Sequence, residues 1–564
     1  MRQNTLLLLI ILLSISLSEE KSVIECNYDV TQTNDYTQLL GDRFTPDSPI
    51  KMTINGREEN FASKYLFSRI GTYYINFELS GDINMDFMFE DVFALERVYM
   101  ISDENLKLTR FESTFEGCEN LMSFEMNGFD TSSATSMKRM FYGTSRLDKV
   151  DLSQFNTDSV LDMSSMFESS YIFTLDLRNF NTRRVKNMNS MFKWCQNLLF
   201  LNIETFDTSS VTDMSNMFLW DDSLLKVDLS KWDTSSVEDM SWMFYYCGDL
   251  TSLDVSSFDT RNVRKMNNMF RALSKLTSLD VSNFDTSRVE DMAGMFSSNK
   301  RLTQLDVSKF DTMNVESMAE MFNSCNNLVS IDVSRFKTSK VKDMSYMFYN
   351  CQGITSLDLS NFDTSIVTNM NSMFKGMENI EVLDLKSFKT SNVLNFKNMF
   401  NECFNLKKIE ITNLDTSSAL NMEDMFSDCY SLTSLDLSRF DTRNVDTMIN
   451  MFRNDKSLVY LNVKNFNTEK ITNMGFMFSH CESLTSLDLS SFDTSKVTSM
   501  FDMFFNDTKL AELNIKNFNT ENTNEFGQIF YECRNLTLYL GKYKDKCENL
   551  EEVTPGYVEI KYLE

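Results

Sequence analysis

Apolar residues recur along this chain with a period of 26 residues. The clearest marker is a phenylalanine, usually preceded by methionine, and its spacing is 26 residues at every step except for the 25 residues before Phe192. These phenylalanines are Phe115, Phe141, Phe167, Phe192, Phe218, Phe244, Phe270, Phe296, Phe322, Phe348, Phe374, Phe400, Phe426, Phe452, Phe478, Phe504 and Phe530. Met85 to Phe89 falls in the same register, so an eroded first copy begins near Gly81. A fixed period of about 20 to 50 residues is typical of solenoids and arrays, in which a single copy cannot bury its apolar face alone.

Each copy has two halves with different apolar spacing. In one copy the first half reads Leu250-x-x-Leu253-x-Val255, and this alternation places the apolar side chains inward and Asp254 outward, as in a strand. The second half, from Val263 onward, steps by three residues, which favours a short second strand leading into a tight helical turn. The pattern therefore predicts one parallel strand per turn.

The shared pattern LTSLDLSxFDTSxVxxMxxMFxxC is almost complete from Leu250 to Phe270 and from Ile354 to Phe374. It resembles the BspA-like (bacterial surface protein) family of leucine-rich repeats, and the resemblance covers about 460 residues. The resemblance implies a right-handed, leucine-rich-repeat-like solenoid with a parallel β-sheet of one main strand per turn. It also implies a secreted or surface-displayed protein of adhesion or interaction, without catalytic residues.

We predict four segments along the chain. Residues 1–18 combine Arg2, a short apolar run and small residues before Glu19, which is typical of a cleaved secretory signal peptide. Residues 19–80 lack the repeat and contain short alternating segments, so they are expected to form a small β cap. Residues 81–540 are the solenoid of about 18 units, and residues 541–564 are a C-terminal cap or tail.

The composition of the chain excludes some classes of binding partner. A formal net charge of −27 argues against nucleic acid and against anionic membrane surfaces, because both would repel the chain. No second apolar run follows the signal peptide, so we expect no membrane insertion after its cleavage and a secreted or cell-surface location. The expected partner is an extracellular protein or a glycan.

Nine of the 11 cysteines share one position, three residues after the phenylalanine. They are Cys118, Cys195, Cys247, Cys325, Cys351, Cys403, Cys429, Cys481 and Cys533. Such a column indicates packing, and the absence of CxxC-type spacing argues against a metal site. The spacing of neighbouring copies would allow disulfides between their cysteines. A second column, of threonines from Thr131 to Thr520, indicates a turn whose hydroxyl groups satisfy backbone groups.

The outward strand position is acidic in most copies. We expect its carboxylates to be solvated or hydrogen-bonded to the neighbouring turn. The sharper hypothesis is weak Ca²⁺ binding by adjacent carboxylates, since a hard cation prefers oxygen ligands. No other cofactor is expected. The candidate calcium ligands are Asp228, Asp254, Asp280, Asp306, Asp332, Asp358 and Asp384.

Three consecutive copies carry an aromatic residue two positions after the phenylalanine, where other copies carry small or polar residues. These are Trp194, Trp220 and Tyr246, and we call them the aromatic strip. Trp242 and Tyr245 are close in sequence, and we call all five residues the aromatic cluster. Exposed aromatic rings of this kind bind glycans or form the centre of protein interfaces. The alternative is local packing of the rings over neighbouring turns.

Catalysis has little support in the sequence. The single histidine, His480, has no histidine partner or marked nucleophile, and no copy carries a long insertion. We therefore predict a non-catalytic surface protein that binds proteins or glycans. The alternatives are a structural coat protein and, less favoured, a carbohydrate-active enzyme on a β-solenoid. Asn506 and Asn535 begin glycosylation sequons that are usable only in a cell with the required machinery.

Overall fold

The structure, a computed structural model, describes residues 21–541 and 546–563. The predicted signal peptide, residues 1–18, lies outside the described residues. The chain divides into two compact units, residues 1–259 and residues 260–564. Both units are β-solenoids built from turns of about 26 residues, about 18 turns in all, with parallel strands and almost no helix. This confirms the predicted fold class, whereas the predicted domain boundaries stay predictions.

The first unit begins with a β cap, as predicted. The cap strands are β1 (Ser22–Val30), β2 (Thr37–Gln38), β3 (Ile50–Ile54), β4 (Arg57–Glu59), β5 (Lys64–Tyr65) and β6 (Gly71–Leu79). Strand β1 pairs antiparallel with β6 on one side and with β7 (Leu95–Ser102), the first solenoid strand, on the other. The cap thereby covers the sheet edge that the first turn would otherwise expose to another chain.

Parallel strands follow in the first unit. They are β8 (Ser123–Asn127), β9 (Lys149–Val150), β10 (Thr174–Asp176) and β11 (Phe200–Asn202). Strand β7 pairs in parallel with β8, and β8 with β9. Strands β10 and β11 pair without offset, so that Leu175 lies beside Leu201. The inward leucine and outward acid of the sequence pattern therefore hold in this unit.

The second unit repeats the same arrangement and ends in a small cap. Its elements are β12 (Val382–Asp384), β13 (Lys408–Glu410), β14 (Ser434–Asp436), β15 (Tyr460–Asn462), β16 (Ser486–Asp488), β17 (Glu512–Asn514), β18 (Thr537–Gly541), α1 (Glu548–Val553) and β19 (Glu559–Leu563). The last four strands form one parallel sheet in the order β16-β17-β18-β19. Helix α1 and β19 occupy the segment that the sequence assigns to a C-terminal cap or tail.

The core of each unit is a stack of phenylalanine rings. In the first unit the Phe89 and Phe115 rings lie 5.4 Å apart with their planes 3° from parallel, so the eroded first copy takes its place in the stack. In the second unit the Phe296 and Phe322 rings lie 6.0 Å apart, also at 3°. The repeated apolar side chains are removed from water in this way, and that burial is the main favourable contribution to folding.

The second half of each turn contains an isolated bridge followed by tight turns. Lys265 forms a parallel bridge with Asp291, one turn further along the chain. Beyond the bridge, the Met269 N–H donates to the Met266 carbonyl, 3.2 Å away, as in a 3₁₀ turn. The Phe270 N–H instead donates across to the Met295 carbonyl, 3.0 Å away. The predicted strand and tight turn are therefore reduced here to a bridge and a series of turns.

The cysteine column holds buried thiols, and none of the cysteines forms a disulfide. The thiols of the column donate to the carbonyl of the stacked phenylalanine one turn back, as from Cys351 Sγ to Phe322 O at 3.1 Å. Burial raises the pKa of the Cys325 thiol to about 12, which keeps it protonated and unreactive at neutral pH. The column has the packing role that its regularity indicates.

The threonine column satisfies backbone groups of the next turn, as predicted. The Thr364 hydroxyl donates to the Lys389 carbonyl at 2.9 Å and accepts the Lys389 N–H at 2.8 Å. Thr364 is fully buried, so water has no access to these groups. One side chain therefore pairs both backbone groups of a residue in the following turn.

This pairing predicts that Thr364→Val destabilises the protein, although valine has nearly the same shape as threonine. The substitution leaves the N–H and carbonyl of Lys389 without this partner, at a cost of about 1–3 kcal/mol. Unfolding in urea, followed by circular dichroism, measures the change. The control is Thr364→Ser, which keeps the hydroxyl and loses only a methyl group. Equal effects of valine and serine would contradict the assigned role of the hydroxyl.

Candidate functional site

The position two residues after the stacked phenylalanine has a left-handed backbone in every turn. Its φ lies between 53° and 71° throughout. Eighteen residues occupy this column: Asp91, Gly117, Gly143, Ser169, Trp194, Trp220, Tyr246, Ala272, Ser298, Ser324, Asn350, Gly376, Glu402, Asp428, Asn454, His480, Asn506 and Glu532. Glycine, asparagine and aspartate suit this conformation, and bulky side chains do not.

The aromatic strip occupies this unfavourable conformation three times in succession. The φ values are 64° at Trp194, 66° at Trp220 and 64° at Tyr246. A left-handed conformation costs about 1–2 kcal/mol for a residue with a side chain. Backbone bonds across turns hold it in place, such as that from the Trp194 N–H to the Leu219 carbonyl at 2.8 Å. The strip is therefore a set of side chains that the local backbone disfavours.

The rings of the strip stack on one another along the turns. The Trp194 and Trp220 ring centroids are 5.3 Å apart at 15°, and those of Trp220 and Tyr246 are 4.1 Å apart at 14°. Trp194 is 42% exposed and Tyr246 is 39% exposed, while Trp220 is half-buried. The ring faces partly cover each other, so the edges of the rings contribute much of the surface that the strip offers to a partner.

Trp242 and Tyr245 complete the aromatic cluster. Their rings meet edge to face with centroids 4.9 Å apart, and the Tyr245 ring lies 6.3 Å from that of Trp220. Trp242 also has a positive φ, 61°. The five aromatic residues that the sequence singles out thus form one surface in the first unit. The fourth tryptophan, Trp232, instead takes the place of a core phenylalanine and is only 2% exposed.

A second exposed aromatic group was not predicted. Tyr171 and Phe173 meet edge to face with centroids 5.2 Å apart, and Phe200, at the start of β11, is 51% exposed. The signal for this group was the single 25-residue step, which shortens the turn containing Tyr171 and Phe173. A surface cavity of about 600 Å³ is lined by residues of β9, β10 and the turns that follow them.

One ion pair lies at this cavity. The Arg178 guanidinium binds the Asp176 carboxylate, and these hydrogen bonds lower the pKa of Asp176 to about 2. The carboxylate therefore stays ionised over the whole physiological range. Asp151, which also lines the cavity, accepts the Ser153 N–H through Oδ1 at 2.9 Å.

The acidic strand column has a structural role in the following turn. Each of the seven candidate calcium ligands accepts, through Oδ1, the N–H of the residue two positions later, at 2.9–3.0 Å. Hydrogen bonds from the Ser360 side chain and, to a lesser extent, from its backbone N–H lower the pKa of Asp358. Within residues 21–541 and 546–563, no group of three or more His, Cys, Asp or Glu side chains is placed to hold a metal ion. Calcium binding stays a prediction.

The two sequons differ in accessibility. Asn535 is exposed, whereas Asn506 is half-buried in the left-handed column. The Asn506 Nδ2 atom lies 3.0 Å from Nδ1 of His480, the residue at the same position one turn earlier. Of the two side chains, Asn535 is the more accessible to modifying enzymes. The single histidine is thus a neighbour of an asparagine amide.

The repeat matches the model of a protein family. Residues 83–199, 187–279, 272–382, 317–434, 368–460 and 450–554 match a family described as "Mycoplasma protein of unknown function, DUF285". These overlapping segments cover most of the sequence, so the chain belongs to the DUF285 family. No curated protein matches the sequence.

One similar solved structure is described as the crystal structure of a TLR13–ssRNA13 complex. The sequences are 14% identical, and the alignment covers 84% of this chain and 86% of that chain. The TM-score is 0.19, so this likeness carries no argument about function. In the described part of this chain, no helix is long and apolar enough to cross a membrane.

The geometry predicts that Trp220→Asn changes stability little. Asparagine suits the left-handed backbone, and this gain offsets the loss of ring stacking, worth about 0.5–1.5 kcal/mol per pair. We expect a net change below about 1 kcal/mol in urea unfolding. The contrasting variant is Trp232→Ala, which empties a core position and should cost about 3–5 kcal/mol. Equal losses in the two variants would show that the strip is ordinary packing.

Proposed function

We propose that this DUF285 protein is a non-catalytic interaction protein of the BspA-like type, secreted or displayed at the cell surface. We further propose that the aromatic cluster is its main binding surface, for an extracellular protein or a glycan. The supporting observation is that three successive aromatic residues occupy a left-handed column where bulky side chains are disfavoured. Such strain concentrates at functional sites, where the gain from binding maintains it.

The exposure and position of the cluster support this proposal. Trp194 and Tyr246 keep more than a third of their surface in water, whereas the phenylalanines of the core stack are fully buried. Tryptophan and tyrosine are the residues most enriched among those that dominate binding energy at interfaces. The acidic strand column is less suited to the role, because its carboxylates are already engaged by the following turn.

The proposal leaves the enzyme and coat alternatives to experiment. Glycan release from polysaccharide would favour a carbohydrate-active enzyme, and concentration-dependent self-association of purified protein would favour a coat component. Saturable binding of purified protein to a glycan or an extracellular-matrix protein would favour the interaction role. The assays are run with and without millimolar Ca²⁺, so that the same samples test the calcium hypothesis.

The binding surface is tested with the triple variant Trp194→Asn, Trp220→Asn and Tyr246→Asn. Asparagine occurs in the same column at Asn350 and Asn454, so the variant keeps the backbone while removing the rings. We expect at least about thirtyfold weaker binding to any ligand found in the screen, since an interface hot spot contributes about 2 kcal/mol or more.

The matched control is Tyr460→Ser on β15. Tyr460 is also exposed, and serine is the residue at the same strand position in Ser434 and Ser486. Binding by the control should equal that of the wild type. A triple variant that folds and binds with unchanged affinity would remove the aromatic cluster from the binding surface.

A further inference from the structure

Three residues after each stacked phenylalanine lies a buried column that, in most turns, donates hydrogen bonds to backbone carbonyls. Cysteine thiols fill it most often, and Cys118 Sγ donates to Phe89 O at 2.9 Å. Ser170 makes the equivalent bond from its hydroxyl to Phe141 O, also at 2.9 Å. In both cases the acceptor is the phenylalanine 29 residues earlier. The phenylalanine carbonyl also accepts the backbone N–H of the residue three positions later, so the column supplies its second hydrogen bond.

Asn299 shows how a planar side chain fits the same position. Its Oδ1 accepts the Leu273 N–H at 2.9 Å. Its Nδ2 donates to Phe270 O and to Phe296 O, both at 2.8 Å. Asn299 is 1% exposed, so all these bonds are made away from water. The site thus accepts a group with one acceptor atom and one donor atom.

Asp221, Asp455 and Asp507 occupy this column in three other turns and are fully buried. In each, Oδ1 accepts the N–H of the cysteine 26 residues earlier, at 2.8, 3.0 and 2.8 Å respectively. This is the bond that Oδ1 makes in Asn299. The second oxygen, Oδ2, therefore corresponds to the amide nitrogen of Asn299, and it is buried without a hydrogen-bond partner in all three residues.

An ionised carboxylate is poorly suited to this position. Its Oδ2 would place negative charge where the column otherwise supplies a proton to a carbonyl oxygen, and burial of an unpaired charge is costly. The titratable groups that act on these carboxyls from the adjacent turns and the chain beside them are thiols and acids. They are Cys195 and Cys247 for Asp221, Cys429, Cys481 and Asp428 for Asp455, and Cys481, Cys533 and Glu482 for Asp507.

We propose that Asp221, Asp455 and Asp507 are uncharged carboxylic acids in the folded protein. Each donates its Oδ2 hydrogen to the carbonyl oxygen of the phenylalanine 29 residues earlier: Phe192, Phe426 and Phe478. The proton is taken from solvent when the chain folds, because an unfolded aspartate is ionised at neutral pH. A low pH therefore stabilises the solenoid through these three protonated side chains.

The direction of the pH effect follows from linkage. Burial raises the pKa of each of these carboxyls well above its value of about 3.9 in an unfolded chain. Their contribution to stability is complete below about pH 3.9 and is lost as the pH rises toward the folded pKa. Each group lowers the folding equilibrium constant about tenfold per pH unit in that interval. An exposed strand carboxylate such as Asp358 has a lowered pKa and acts in the opposite direction.

Infrared spectroscopy at pH 7 tests the protonation state directly, because a protonated carboxyl and a carboxylate absorb at separate frequencies. The wild type should show a protonated-carboxyl band. The triple variant Asp221→Asn, Asp455→Asn and Asp507→Asn should lose most of it, and Asp358→Asn should keep it. Asparagine already occupies the column at Asn299, so the variant is expected to fold. A wild-type spectrum without the band would overturn the proposal whether or not the variant folds.

Urea unfolding between pH 5 and pH 8 tests the energetic consequence. The wild type should lose stability as the pH rises, in part because of its negative net charge. The folding equilibrium constant of the triple asparagine variant should fall less steeply with pH. For each substituted group, the fall per pH unit should be smaller by a factor of about ten. The variants are made in a host without N-glycosylation, since Asp221→Asn, Asp455→Asn and the control Asp358→Asn each create a new sequon. Parallel pH profiles for the wild type and a folded variant would also contradict the proposal.

Discussion

The hydrogen bonds between successive turns of each unit determine which residues can occupy each position of the repeat. Buried backbone groups must find partners, and an unpaired one costs about 1–3 kcal/mol. Thr364 meets this demand with one hydroxyl for both backbone groups of Lys389. Because the next turn must present its groups at the same place, the backbone path is repeated from turn to turn. The phenylalanine stack, the threonine column and the left-handed position all follow from that repetition.

Much of this arrangement can be predicted from the sequence because each position of the repeat occurs in many copies. The strand with its outward acid and the packed cysteines are predictable, since hydrophobicity and repetition carry them. The left-handed backbone at Trp194 and Trp220 is different, because a dihedral angle has no hydrophobic signature. The glycines, asparagines and aspartates of that column are its trace in the sequence. The exposed surface at Phe173 and Phe200 was not predicted for a related reason. A single 25-residue step among steps of 26 residues does not by itself indicate which side chains become exposed.

The acidic strand column shows how repetition separates structural residues from functional ones. A carboxylate that caps a turn in nearly every copy, as Asp254 does toward Ser256, is needed wherever the turn occurs. Its charge is a consequence of turn chemistry, and the solvent accommodates that charge. Residues that a turn does not need are a better guide to function. The aromatic strip meets this criterion, because the left-handed column is filled elsewhere by residues that fit it more easily.

The aromatic strip and the buried aspartates are departures of opposite kinds. Trp220 adopts an unfavourable backbone conformation while its ring remains partly in water. The backbone of Asp455 follows the repeat, but its buried carboxyl loses its contacts with water. A globular core would transmit either cost widely, because its contacts are shared among distant segments. In a solenoid each turn contacts only its neighbours, so the cost stays within adjacent turns while the others supply stability. The same locality allows one turn to open without unfolding the rest of the unit.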